Sequence, residues 1–216
     1  MSNYLIIGGH GKVALLAAPI LVDEGHSVTS LIRNPDHVAD VEATGAKALV
    51  LDIENASAEE LADAMRGMDA VVWSAGAGGG NPARTRAVDF DAAVRSMEAA
   101  KAAGVSRYVM VSFLSSSLDH KVPEDNSFFT YAQAKAEADE YLRGSGLDYT
   151  ILGPGGLTLE DPTGQVDLHQ VDYDGDSSTS RANVALTIAA ALRNPGSIGK
   201  TFRYSDGSTP IDSAVS

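Results

Sequence analysis

The 216-residue chain is expected to form an α/β fold, a doubly wound parallel sheet with helices on both faces, and three observations lead there. Short, β-branched apolar runs recur without in-out alternation, as strands covered on both sides require. Each run is separated from the next by a stretch of helical composition, so right-handed crossovers distribute helices over both faces. Several of these stretches stop at glycine, the residue that most readily ends a helix.

Taken in order, strands are expected at 4–7, 28–32, 48–51, 70–73, 108–111 and 149–152, with helices roughly over 12–24, 36–43, 57–66, 84–103 and 128–144. This strand-helix repetition specifies a Rossmann-type sheet, and the Ala-rich stretch 92–103 is simply good helix composition. The pattern breaks after Leu152, where "GPGGLTLEDPTGQVDLHQVDYDGDSSTS" is rich in Gly, Pro, Asp and Ser. Because ligands of open parallel sheets lie beyond the carboxyl ends of the strands, residues 153–180 are assigned to the substrate side as an insertion or lid. A helix over 181–193 and a strand near 201–204 close a chain read as one domain, 1–216, with a small C-terminal substrate-side segment.

Composition narrows the function. With 44% apolar and 21% charged residues and no window near the roughly 18–20 apolar residues of a membrane span, a soluble protein is expected, and the absence of a leader pattern points to the cytoplasm. Zero cysteines exclude disulfides, thiol catalysis and cysteine-based zinc sites, and no metal site is expected. A formal charge of −13, with sixteen Lys and Arg that form no run, argues against nucleic acid and leaves a small molecule as partner. The helices 84–103 and 128–144 could be solvated or pack across a dimer axis, so a monomer or a homodimer fits.

The first strand enters "GGHGKVALLAAPILVDEGHSVTSLIRNP". Gly8, Gly11 and Ala14 match G-x-x-G-x-x-A, a variant of the dinucleotide fingerprint: a sharp turn, a close approach of backbone to phosphate, and tight helix-strand packing. Gly8, Gly9, His10, Gly11, Lys12 and Val13 are therefore assigned to the cofactor, whose pyrophosphate meets the start of the first helix; Lys12 either adds positive potential there or, the commoner case, is simply solvated. The second strand ends in Arg33 where NAD-specific sites usually carry an acid, so NADP(H) is preferred over NAD(H), with no carboxylate there to repel a 2′-phosphate. Asp52, beside Ile53 at the third strand end, either accepts from the adenine amino group or serves as a helix N-terminal residue. The loop "SAGAGGG", Ser74 to Gly80, either lies over the cofactor or is flexible; Ala75 and Gly76 are assigned to the cofactor.

"TYAQAKAEADEYL" puts Tyr131 and Lys135 four residues apart on one helix face. A phenol there can give or take a proton as hydride moves, and a neighbouring ammonium would lower its pKa. Ser112 is the preferred donor to a developing oxyanion, with Ser115 or Ser116 as alternatives and loop packing as the bland reading. Phe113, Leu114, Phe128, Phe129, Leu157, His169 and Tyr173 fall near the expected pocket, where packing is the commoner role for such residues and His169 reads as a loop or surface residue.

These residues, with "VDFDAAVRSMEAAKAAGVSRYVMVS" and "YAQAKAEADEYLRGSGLDYTILGPGGLT", resemble the short-chain dehydrogenase/reductase superfamily over nearly the whole chain. Within it the chain is similar to the atypical NAD(P)H-binding, NmrA-like group, which includes biliverdin reductase B types and relatives named epimerase/dehydratase. The resemblance implies that Tyr131 donates a proton, that Lys135 binds the nicotinamide ribose, and that Pro154, Gly155 and Gly156 line the nicotinamide through their backbone. Two positions depart from the pattern: Gly153 stands where Arg is common, and Phe113 and Leu114 follow Ser112. The expected function is an NADP(H)-dependent oxidoreductase acting on a small carbonyl, quinone or flavin-like acceptor. The alternative is an NADP(H)-binding redox sensor. A sugar-nucleotide epimerase is less favoured, since only about sixty residues follow Leu152.

Overall fold

The structure is a computed structural model that describes residues 1–78, 81–175 and 177–216. The alternation begins with β1 (Asn3–Ile7), α1 (Lys12–Asp23), β2 (Ser27–Ile32), α2 (Val38–Glu42), β3 (Lys47–Val50), α3 (Ala58–Met65) and β4 (Ala70–Trp73). It continues with α4 (Pro82–Thr85), a π-helical stretch Arg86–Ala92, α5 (Ala93–Ala102), β5 (Arg107–Val111), α6 (Phe129–Gly144) and β6 (Asp148–Pro154). The remainder comprises β7 (Gly156–Thr158), β8 (Gln165–Leu168), β9 (Ser178–Ser180), α7 (Arg181–Arg193), β10 (Lys200–Asp206), β11 (Thr209–Pro210) and α8 (Ile211–Ala214).

Nine strands make the main sheet in the order β11-β8-β10-β6-β5-β4-β1-β2-β3. The seven from β10 to β3 are parallel, and β8 joins antiparallel to β10 and β11. Apolar strands build this sheet because each must be covered twice: Leu5, Ile6 and Ile7 of β1 are all fully buried. Ile6, Val72 and Val109 pack under α1 and α7, while Leu5, Ile7, Trp73, Tyr108 and Met110 pack under α3, α5 and α6. Strand order reverses between β1 and β4, which puts the natural ligand crevice at their carboxyl ends.

Two stretches differ from the sequence expectation. The helix expected over 84–103 is interrupted by the seven-residue π-helical stretch, whose wider turn carries Asp89 into the interior, 1% exposed. Residues 153–180 hold three short strands: β7 and β9 pair with each other, and β8 extends the main sheet. Polar, glycine-rich composition hides strands this short, because their pairing partners are remote in sequence.

Candidate active site

Two pockets open along the carboxyl edge of the sheet. The first, about 330 Å³, lies over β1 to β4 and is lined by Gly8, His10, Gly11, Arg33, Asp52, Ile53, Ala75 and Gly76, together with His37, Glu54 and Arg84. The second, about 850 Å³, lies beyond β5 and β6 and is lined by Ser112, Phe113, Phe128, Tyr131, Pro154, Gly155, Gly156, Leu157 and Tyr173, among others.

The first pocket depends on backbone approaching backbone. Gly8 has φ +84°, and a Cβ there would sit 2.7 Å from the Ala75 backbone. Gly9 lies outside the lining but is equally constrained, since its Cβ would come within 2.5 Å of the Ser30 Cβ and its N–H donates to the Leu31 carbonyl. The turn delivers the chain to α1, whose N-terminus at Gly11 has no side-chain cap, which leaves its first N–H groups suited to receive an anion. Val13 is buried on the inner face of this helix and Lys12 is exposed at its start. The His10 ring stacks on His37 at 3.5 Å, with Nε2 3.0 Å from Asp40.

The end of β2 itself carries no carboxylate, as the sequence reads, but the fold brings one beside Arg33 from elsewhere. Its Nη1 lies 3.7 Å from Oε2 of Glu54, which arrives from the loop after β3, an approach that strand-end logic applied to β2 alone misses. Asp52 is not the helix N-terminal residue: Ser57 caps α3 in a capping box with Glu60. Asp52 instead accepts from the Glu54 N–H at 3.1 Å and from Asn55 Nδ2 at 2.7 Å, folding the loop over the pocket rim. Gly79 and Gly80 of the glycine loop lie outside the described residues. Such an edge, with a helix N-terminus and a Cβ-free cradle, fits the pyrophosphate of a dinucleotide.

The second pocket is aromatic around Tyr131, whose ring lies 5.5 Å from Phe113 and 5.1 Å from Phe128. Lys135 shares its helix face but does not serve it as expected. Nζ donates to the Val111 carbonyl at 2.7 Å, and the side chain is 2% exposed, outside both pockets. The reason is a pair of buried acids, Asp139 one turn further along α6 and Asp89 from the π-helical stretch, which draw the ammonium inward. Burial pushes both carboxyls upward while Lys135 pulls them back. Tyr131 is shifted the opposite way from the expectation: burial, then Asp89 and Asp139, hold its phenol above the ordinary tyrosine range.

Ser112 is likewise turned inward, its hydroxyl donating to Asp139 Oδ2 at 2.6 Å, and Ser116 donates to the same oxygen at 2.5 Å. Of the candidate serines, Ser115 alone is exposed and on the pocket wall. Pro154, Gly155 and Gly156, expected to line the nicotinamide through their backbone, lie on the wall of the second pocket, with the two glycine N–H groups already paired within the fold. Gly155 N–H donates to the Tyr204 carbonyl and Thr179 Oγ1, and Gly156 N–H donates to the Ser177 carbonyl. Gly155 has a steric reason instead, for its Cβ would overlap the Ser177 carbonyl at 1.5 Å. Where Gly153 replaces an arginine, Arg203 of the paired strand β10 supplies one: the two residues are in register, Arg203 Cγ lies 3.5 Å from the position of a Gly153 Cβ, and Nη2 donates to the Ser116 carbonyl.

Glu54, Arg84, Asp89, Asp139 and Arg203 are thus the site-region residues that sequence reasoning passed over. One signal was available: Tyr131, Lys135 and Asp139 recur every four residues, so a single face of α6 carries all three.

A family model described as NAD(P)H-binding matches residues 8–195. The Bacillus subtilis protein named uncharacterized sugar epimerase YhfK is 35% identical over 212 residues, 97% of each chain. A Bacillus halodurans structure provisionally named an NAD-dependent epimerase/dehydratase superposes with a TM-score of 0.91 at 32% identity, covering 100% of this chain and 99% of that one. The Lactococcus lactis oxidoreductase ylbE superposes with a TM-score of 0.87 at 30% identity, covering 99% and 94%.

Proposed function

The chain belongs to the NAD(P)H-binding family, and from that premise we propose that it is an NADP(H)-dependent oxidoreductase acting on a small carbonyl, quinone or flavin-like acceptor. The observation that carries the reading is Tyr131 on the wall of a large aromatic pocket, along the same sheet edge as the glycine turn. A bound nicotinamide supplies the hydride. Everything else falls to the chain: Gly8 to Gly11 and the start of α1 receive the pyrophosphate, and Arg33 stands on the 2′-phosphate side. Phe113, Phe128 and Leu157 exclude water from the acceptor. Tyr131, held as a neutral phenol by burial and two nearby carboxylates, delivers the proton that reduction consumes.

Tyr131→Phe tests this directly. Turnover with the best acceptor of a quinone, flavin and aldehyde screen is expected to fall about a hundredfold or more, with NADPH affinity within about twofold of the parent. Unchanged turnover would remove the tyrosine from the chemistry. A second reading, an NADP(H)-binding redox sensor, draws support from Ser112 and Lys135 being turned inward. NADPH binding without consumption across the whole screen would favour it. The epimerase in the name of the Bacillus subtilis relative is a weaker guide, because that protein is itself named uncharacterized.

A further inference from the structure

The corner of the first pocket holds a concentration of cations that the glycine turn and the proton donor do not account for. Arg33 Nη1 lies 3.7 Å from Glu54 Oε2, and Arg84 Nε lies 3.2 Å from the same oxygen. Arg84 Nη1 also donates to the Ala77 carbonyl at 2.7 Å, which fixes its guanidinium over the pocket. Arg95 donates to the Ile53 and Glu54 carbonyls at 2.7 and 3.2 Å, holding the backbone that carries the carboxylate. In a chain of net charge −13, three of the sixteen Lys and Arg converge here. The Glu54 and Arg84 side chains are 27% and 34% exposed and Arg33 is 56% exposed, so Glu54 and Arg84 form the sheltered part of the cluster and Arg33 its solvent side. One carboxylate oxygen faces two guanidinium forks, and a doubly charged, multi-oxygen anion would satisfy both better.

We propose that Glu54 is an internal stand-in for the cofactor's 2′-phosphate: it holds Arg33 and Arg84 in place before binding and competes with the phosphate for them. Glu54 and Arg84 are then specificity-determining residues in the choice between NADPH and NADH. This rests on the NADP(H) reading above. Removing the Glu54 charge frees both guanidiniums and removes a repulsion felt only by a nucleotide with a 2′-phosphate. Removing Arg84 takes away a donor that only such a nucleotide uses.

Calorimetric titration of the full chain with 2′,5′-ADP and 5′-AMP, then with NADPH and NADH, tests it. Glu54→Gln keeps the shape and loses the charge, and is expected to tighten 2′,5′-ADP and NADPH roughly fivefold while 5′-AMP and NADH stay unchanged. Arg84→Met is expected to weaken 2′,5′-ADP and NADPH roughly fivefold more than 5′-AMP and NADH, any loss common to both pairs reporting its contact with the Ala77 carbonyl, with Arg84→Lys intermediate because it keeps the charge but loses the fork. Arg33→Asp separates the two ideas. If the parent shows no preference for NADPH, or Arg33→Asp leaves that preference intact, the NADP(H) reading falls and the stand-in falls with it. If the preference depends on Arg33 but Glu54→Gln shifts nothing, the stand-in alone is overturned. Weaker 5′-AMP or NADH binding in Glu54→Gln also overturns it, since Glu54 would then be holding ribose hydroxyls.

Discussion

Tyr131 shows how neighbours decide what a residue can do. A tyrosine beside a lysine suggests a phenol tuned toward neutrality, yet here the ammonium is spent on the Val111 carbonyl and on buried acids, while the phenol feels burial and negative charge. Both effects disfavour phenolate, so the protonated form is complete through neutral pH and well into the alkaline range. The sign of the consequence is fixed. Reduction needs the proton-bearing form, so the turnover number measured from about pH 6 to about pH 9.5 is expected to be flat as far as Tyr131 is concerned. An alkaline fall with a midpoint near about pH 7 that disappears in Tyr131→Phe would mean that Lys135 does lower the phenol. Arg33 gives the same lesson, because the β2 sequence names the cation correctly and is silent about the carboxylate that β3 brings beside it.

At the scale of elements, strands and long helices were legible because their signals are local: apolar runs, helical composition, a glycine at the end. The break of the 84–103 helix was not, because the π-helical stretch is stabilised by what Asp89 meets inside the fold, namely the Ala77 N–H at 3.0 Å and the charge of Lys135. Neither partner is adjacent in sequence. The candidate site divides the same way: the glycine turn and the Tyr131/Lys135 spacing stood in the sequence, but the inward path of Lys135 required the positions of Asp89 and Asp139. Helix α6 is therefore anchored by an interior polar cluster in which Asp139 accepts two serine hydroxyls and faces a buried ammonium. Asp139→Ala is expected to cost about 3 kcal/mol in urea unfolding, since it leaves Lys135 undercompensated and two buried hydroxyls without their acceptor. Asp139→Asn, which keeps an acceptor oxygen, should cost less. A loss below about 1 kcal/mol for the alanine variant would mean that Lys135 is neutralised by Asp89 alone.

At the scale of the whole molecule, a seven-stranded parallel core gives two pockets one rigid frame. The first is built on the loops after β1 to β4 and the second on those after β5 and β6, all on one sheet edge, and no helix of the described residues is long and apolar enough to cross a membrane. A dinucleotide that spans both pockets binds only the folded chain, so its binding free energy adds to stability. At a hundred times its dissociation constant, NADPH is expected to contribute about 2.7 kcal/mol, a rise in melting temperature of about 5 to 10 °C for a chain of this length. The location of the effect is more diagnostic than its size. Hydrogen exchange should slow at 8–13 and 75–77, where the phosphates would approach backbone on this reading, and also around 112–116 and 154–157, where a nicotinamide would enter the aromatic pocket. Protection of the first group alone would place only the adenosine half on this sheet edge and leave Tyr131 without a hydride donor. No thermal shift with either nucleotide would sink the dinucleotide site as a whole.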